Sequence, residues 1–108
     1  MIEDDESPAI IPGPSVPDGA VSKELLIINK RGLHARASAK FVQTVERFSA
    51  EVWVTRGGET VGGTSIMGLM MLAAGPGTSI TIEASGSQAA EVLDALTALV
   101  SGRFTEDE

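Results

Sequence analysis

From residue 23 onward the apolar positions change period several times, and each change marks an element. Leu25, Leu26, Ile27 and Ile28 form a short apolar run that reads as a strand. Asn29 to Leu33 is a loop, with Gly32 supplying the turn. From Ala35 the period becomes helical: Phe41, Val45 and Phe48 fall at i, i+4 and i+7, with Val42 beside them. Val52 to Thr55 is β-branched or aromatic and predicts a second strand. Gly57-Gly58 predicts a hairpin turn into a short third strand around Thr60 and Val61. A short helix is expected over Ser65 to Leu72, N-capped by Thr64 or Ser65 and ended by Gly75-Pro76-Gly77. Between Ser79 and Ala84 the alternation is clean, with Ile80, Ile82 and Ala84 on one face. Ala89, Val92, Leu93, Leu96, Leu99 and Val100 mark a last amphipathic helix, capped by Ser87 and stopped by Gly102. The order βαββαβα, with one apolar face per strand and one apolar stripe per helix, predicts a two-layer α+β domain. Its mostly antiparallel sheet is covered on one side.

Residues 1–22 depart from this pattern. They hold four of the five prolines, five acids and no base, show little apolar periodicity, and read as a disordered acidic arm, with the Ile10-Ile11 pair as a docking candidate. The expected division is therefore an arm over 1–22, one domain over 23–103 and an acidic tail over 104–108. The formal net charge of −7 belongs mostly to the two ends. The segment between them is near neutral, with a run of bases at Lys30, Arg31, Arg36, Lys40 and Arg47 that suits an acidic protein surface or a phosphate. Nucleic acid is a poor match, because the domain is not basic overall and few aromatics are present to stack on bases. There is no Cys and a single His, so thiolate and His-rich metal sites are excluded. No apolar run suits a membrane span, and the acidic start does not suit a signal peptide. The expected compartment is the cytoplasm.

Gly32-Leu33-His34-Ala35-Arg36 carries the sharpest chemistry. The imidazole sits where a loop becomes a helix. Free N–H groups at a helix start bind anions, and the macrodipole favours negative charge. Neutral imidazole is a nucleophile. A phosphoryl group placed on it would lie among those donors, with the Arg36 guanidinium close enough to fork its oxygens. A second motif, Ser65-Ile66-Met67-Gly68, opens the short helix. There Leu69 and Leu72 are the core candidates, which leaves Ile66, Met67 and Met70 as an exposed apolar patch of the kind that docks partners. Gly57 to Thr64 approaches the phosphate-loop spacing G-x-x-x-x-G-K-[ST], but Gly63 stands in place of the lysine and the context is a hairpin. Trp53 reads as a packed strand residue.

The two motifs and their spacing resemble HPr, the histidine-containing phosphocarrier family of the bacterial phosphoenolpyruvate-dependent phosphotransferase system. The resemblance runs from about Lys23 to Gly102. It implies an open-faced β-sandwich with four antiparallel strands and three helices. It implies that His34 carries phosphate on Nδ1 and that Arg36 assists. Enzyme I would donate and a IIA-type protein would accept, in sugar uptake or in a regulatory branch. It also implies that Ser65 is the regulatory serine phosphorylated by HPr kinase/phosphorylase in some bacteria. The helix of Ile66, Met67 and Met70 would dock these partners together with Arg36 and Lys40. No cofactor or metal is implied, and a monomer is expected. The alternative function is an HPr-type regulatory binding protein controlled by serine phosphorylation. One departure is visible: the family usually has Pro after the Arg, whereas here Ala37 stands there. Ala keeps the turn helical and adds one N–H.

Overall fold

The computed structural model describes residues 19–105. The chain runs β1 (Val21–Leu26), α1 (Ala35–Val45), β2 (Glu51–Arg56), β3 (Glu59–Gly62), α2 (Ile66–Met71), β4 (Ser79–Ser85) and α3 (Ala89–Ser101), the order expected from periodicity. The strands form one four-stranded sheet in the order β1-β4-β2-β3, with every neighbour antiparallel. Among the described residues no helix is long and apolar enough to cross a membrane.

Register explains which side chains are inside. Leu25 lies opposite Ile80, and Val52 and Val54 lie opposite Ala84 and Ile82. These residues share a face, and that face meets Phe41, Val45, Leu69, Val92, Leu96 and Val100 from the three helices in one core. The β2–β3 hairpin closes through Gly57 and Gly58, both at positive φ, between paired Arg56 and Glu59. That two-residue geometry matches the strand twist and suits glycine. Phe48, read as the third residue of the α1 stripe, lies beyond the end of that helix, yet it still packs against the core.

The outer boundaries differ from the sequence reading. Most of the arm, residues 1–18, lies outside the described residues, but Val21 and Ser22 already belong to β1 because the ladder partners Ala84 and Glu83 extend that far. At the other end the domain does not stop at residue 103, since Phe104 is fully buried in the core. It gets there through a left-handed turn over Arg103, Phe104 and Thr105, all at positive φ. The Lys40 ammonium holds this turn, donating to the Phe104 carbonyl at 2.7 Å and to Thr105 Oγ1 at 2.6 Å. The acids Glu106 to Glu108 lie outside the described residues.

Ser87 does not cap α3. The N-cap is Gln88, without a side-chain cap bond. Ser87 and Gln88 instead reach the loop before β2: Ser87 Oγ donates to the Ser49 carbonyl, and Ser49 N–H donates to Gln88 Oε1 at 2.7 Å. A cap is a local contact, and here a tertiary contact displaced it.

Candidate functional site

The loop from Asn29 to His34 is built to a single shape. Asn29 is fully buried, and its Nδ2 donates to the Gly32 carbonyl at 2.8 Å. Gly32 has φ +64, and a Cβ there would run into the Ala74 carbonyl oxygen and lie 2.8 Å from Gly75 Cα. The next residue uses that same carbonyl, as Leu33 N–H donates to Ala74 O at 2.9 Å. The chain leaving α2 is thus fastened to the loop that delivers His34. Only glycine combines the left-handed backbone with so close an approach.

His34 is the N-cap of α1, with extended backbone at φ −76 and ψ −177. Its Nδ1 accepts from Arg36 N–H at 3.3 Å. The first bond of the helical ladder is Ser38 N–H to the His34 carbonyl at 2.9 Å, so the N–H groups of Ala35, Arg36 and Ala37 precede it. Two consequences follow. An Nδ1 that accepts a hydrogen bond presents a lone pair there. That lone pair points at the Arg36 N–H and the positive end of the α1 dipole. Asn, Asp, Ser and Thr are the usual N-caps, so the imidazole is not the best cap this position could hold. The side chain is half-exposed and within reach of a partner.

The other expected residues separate into groups. Arg36 is exposed on the first turn of α1, and Lys30 and Arg31 are exposed on the preceding loop. Arg47 lies past the C-terminal end of α1, whereas Arg36 is at its start, so the two bases sit at opposite ends of the helix. Lys40 is half-buried, and its ammonium is engaged by the C-terminal turn. Ser65 is the exposed N-cap of α2, its Oγ accepting from Gly68 N–H at 2.9 Å. Leu69 and Leu72 are buried as expected. Ile66, Met67 and Met70 are exposed, Met67 to 69%. Met71, not singled out from the sequence, is exposed nearly as much and widens the patch. Arg56 was also missed: its Nη1 donates to the Leu72 carbonyl at 3.1 Å, beside the segment that clamps Gly32. Nothing in the local sequence signals that contact.

The comparisons with known proteins match this arrangement. The family model described as the PTS HPr component phosphorylation site matches residues 21–102. The chain belongs to the HPr family. A phosphocarrier protein HPr of Neisseria meningitidis is 54% identical over 88 residues, covering 82% of this chain and 99% of that protein. Among solved structures, an HPr from Thermoanaerobacter tengcongensis superposes with a TM-score of 0.78 at 38% identity, covering 82% of this chain and 99% of that one. An HPr from Bacillus anthracis has a TM-score of 0.73 at 46% identity, covering 77% and 99%. The open-faced HPr sandwich expected from the motifs is the fold found. As an HPr, the chain is a phosphocarrier of the phosphotransferase system.

Proposed function

We propose that this HPr takes a phosphoryl group from phosphorylated enzyme I onto His34 Nδ1 and passes it to a IIA-type protein, in the cytoplasm. The observation that carries the reading is the direction of Nδ1: it faces the Arg36 N–H in the first turn of α1. In the transfer the Nδ1 lone pair attacks phosphorus. The Nδ1–P bond forms while the bond to the donor's leaving atom breaks, and that atom keeps the electron pair. The long contact to Arg36 N–H gives way, and the same N–H, with those of Ala35 and Ala37, then faces the phosphoryl oxygens. Arg36 adds a charge-assisted hydrogen bond. The return step to the acceptor runs through the same contacts. Preorganised donors of this kind stabilise the charge that gathers in the transition state.

The docking face on this reading is Arg36 with Ile66, Met67, Met70 and Met71. The Ala74–Leu33 bond ties the two parts into one end of the molecule. Lys40 serves this face indirectly, by fixing the C-terminal turn against α1. Ser65 borders the patch and is exposed, which favours a regulatory role for its phosphorylation by an HPr kinase/phosphorylase. A phosphate at a helix N-terminus is locally favourable, so modification would change docking rather than fold.

The deciding experiment is transfer of label from phosphoenolpyruvate through enzyme I. Wild-type protein is expected to acquire a label that is lost in acid and kept in base, as a phosphoramidate is. His34→Ala is expected to acquire none while keeping its circular dichroism spectrum. Full labelling of that variant overturns the assignment of His34.

A further inference from the structure

Three of the chain's four methionines stand on α2, a helix of six residues. This segment sorts its apolar residues by type. Leucine takes the buried positions, Leu69 and Leu72. Methionine takes the solvent positions: Met67, Met70 and Met71 are exposed to 69%, 39% and 67%. Met67 and Met71 are one helical turn apart, so their side chains are neighbours on one face, with Met70 beside them. Leucine there would supply similar apolar area, so area does not call for methionine. What methionine adds is a flexible, polarisable thioether. The usual competitors for a mild oxidant are missing or shielded. There is no Cys. Trp53 alternates with the core residues Val52 and Val54 and so faces away from the helices, yet it is only 6% exposed. A peroxide reaching the described part of the chain therefore finds its accessible sulfur on α2.

We propose, on the docking reading given above, that Met67 and Met71 are a peroxide modification site whose oxidation reversibly weakens partner docking. In the step a sulfur lone pair attacks one oxygen of hydrogen peroxide. The S–O bond forms as the O–O bond breaks. The departing hydroxide takes the proton from the transferred oxygen, which leaves a sulfoxide and water. Sulfur gives up two electrons and the peroxide receives them. A sulfoxide is polar where the thioether was apolar. In the free protein both groups stay in water, because neither side chain is packed, so the fold is unaffected. On docking, the sulfoxide oxygen would have to leave water for an apolar contact, where an acceptor without a donor costs binding. Met70 is more covered and is expected to react later. A methionine sulfoxide reductase using a dithiol reverses the step, yielding the thioether, a disulfide and water.

The experiment treats the full chain with hydrogen peroxide, removes the excess with catalase and follows each methionine by peptide mass spectrometry. Transfer is then measured against enzyme I concentration, with circular dichroism as the fold control. A Met67→Leu/Met71→Leu variant is treated in parallel, and each protein is compared with its own untreated sample. Sulfoxide is expected at Met67 and Met71 ahead of Met70. Oxidised wild type is expected to need about five- to tenfold more enzyme I for half-maximal transfer, with the rate at saturation kept. The leucine variant is expected to keep its untreated curve. Reductases for both sulfoxide epimers are expected to return wild type to its own. Four results each overturn the site: Met70 reacting first, a lost circular dichroism signal, an equal loss in the leucine variant, or no recovery with the reductases. Untreated Met67→Lys separates this site from the docking reading beneath it. If that variant is impaired and oxidised wild type is not, docking stands and the oxidation switch falls. If neither is impaired, both fall.

Discussion

At Gly32 one hydrogen atom in place of a methyl decides whether the site can be assembled. Its left-handed φ and the Ala74 carbonyl leave no room for a Cβ. Gly32→Ala is expected to lose on the order of 2–3 kcal/mol of stability, read by urea denaturation, because backbone strain and collision act together. The surviving folded fraction should transfer phosphate slowly, since the loop sets the His34 ring. Arg36 acts at the same scale but without a packing role, as it is exposed. Arg36→Ala should leave the thermal midpoint within experimental error and slow single-turnover transfer by roughly ten- to a hundredfold, the worth of one charge-assisted hydrogen bond. Unchanged transfer would remove Arg36 from the reaction. Local sequence made His34, Arg36 and the Gly32 turn legible, because loop, glycine and helix start adjoin along the chain. It could not show Ala74, since a carbonyl carries no residue-type signature.

The element that governs partner choice on the proposed reading is α2, six residues long. So short a helix has no stability of its own and is held by Leu69 and Leu72 beneath it and by Ser65 at its start. Its remaining side chains are free to form a surface. Met67→Lys should raise the enzyme I concentration needed for half-maximal transfer, with little change in the rate at saturation, because Met67 is largely exposed and on the proposed reading contacts the partner rather than the phosphoryl group. Ser65→Asp should have the same signature, since a charge at the edge of an apolar patch must be desolvated on docking. The Asp side chain can still cap α2, so its circular dichroism should match wild type. An Asp variant that transfers normally at limiting enzyme I would leave Ser65 as a cap alone. The spacing of Leu69 and Leu72 was enough to divide this helix into core and surface. Met71 escaped that division because one further exposed position on a two-turn helix has no period to distinguish it.

Across the whole molecule, the turn that follows α3 is built into the core. Phe104 is fully buried, and its carbonyl is held by Lys40, 64 residues earlier. Phe104→Ala is expected to cost about 3–5 kcal/mol by the loss of a fully buried ring, measured as a fall in the urea midpoint. Lys40→Met should cost less, roughly 1–2 kcal/mol, by freeing the turn from its donor. The sequence by itself determined the order of elements, the inner face of each strand and the placing of the one histidine at the start of a helix, because each depends on a period or a motif within a few residues. Only the tertiary structure decided the clamp of Ala74 on Leu33, the service of Lys40 to the C-terminal turn and the pairing of Ser49 with Gln88. It also decided the burial of Trp53 on the side of the sheet that has no helix. Such contacts join residues far apart in the chain. Periodicity decays within one element and carries no information about which element it will meet.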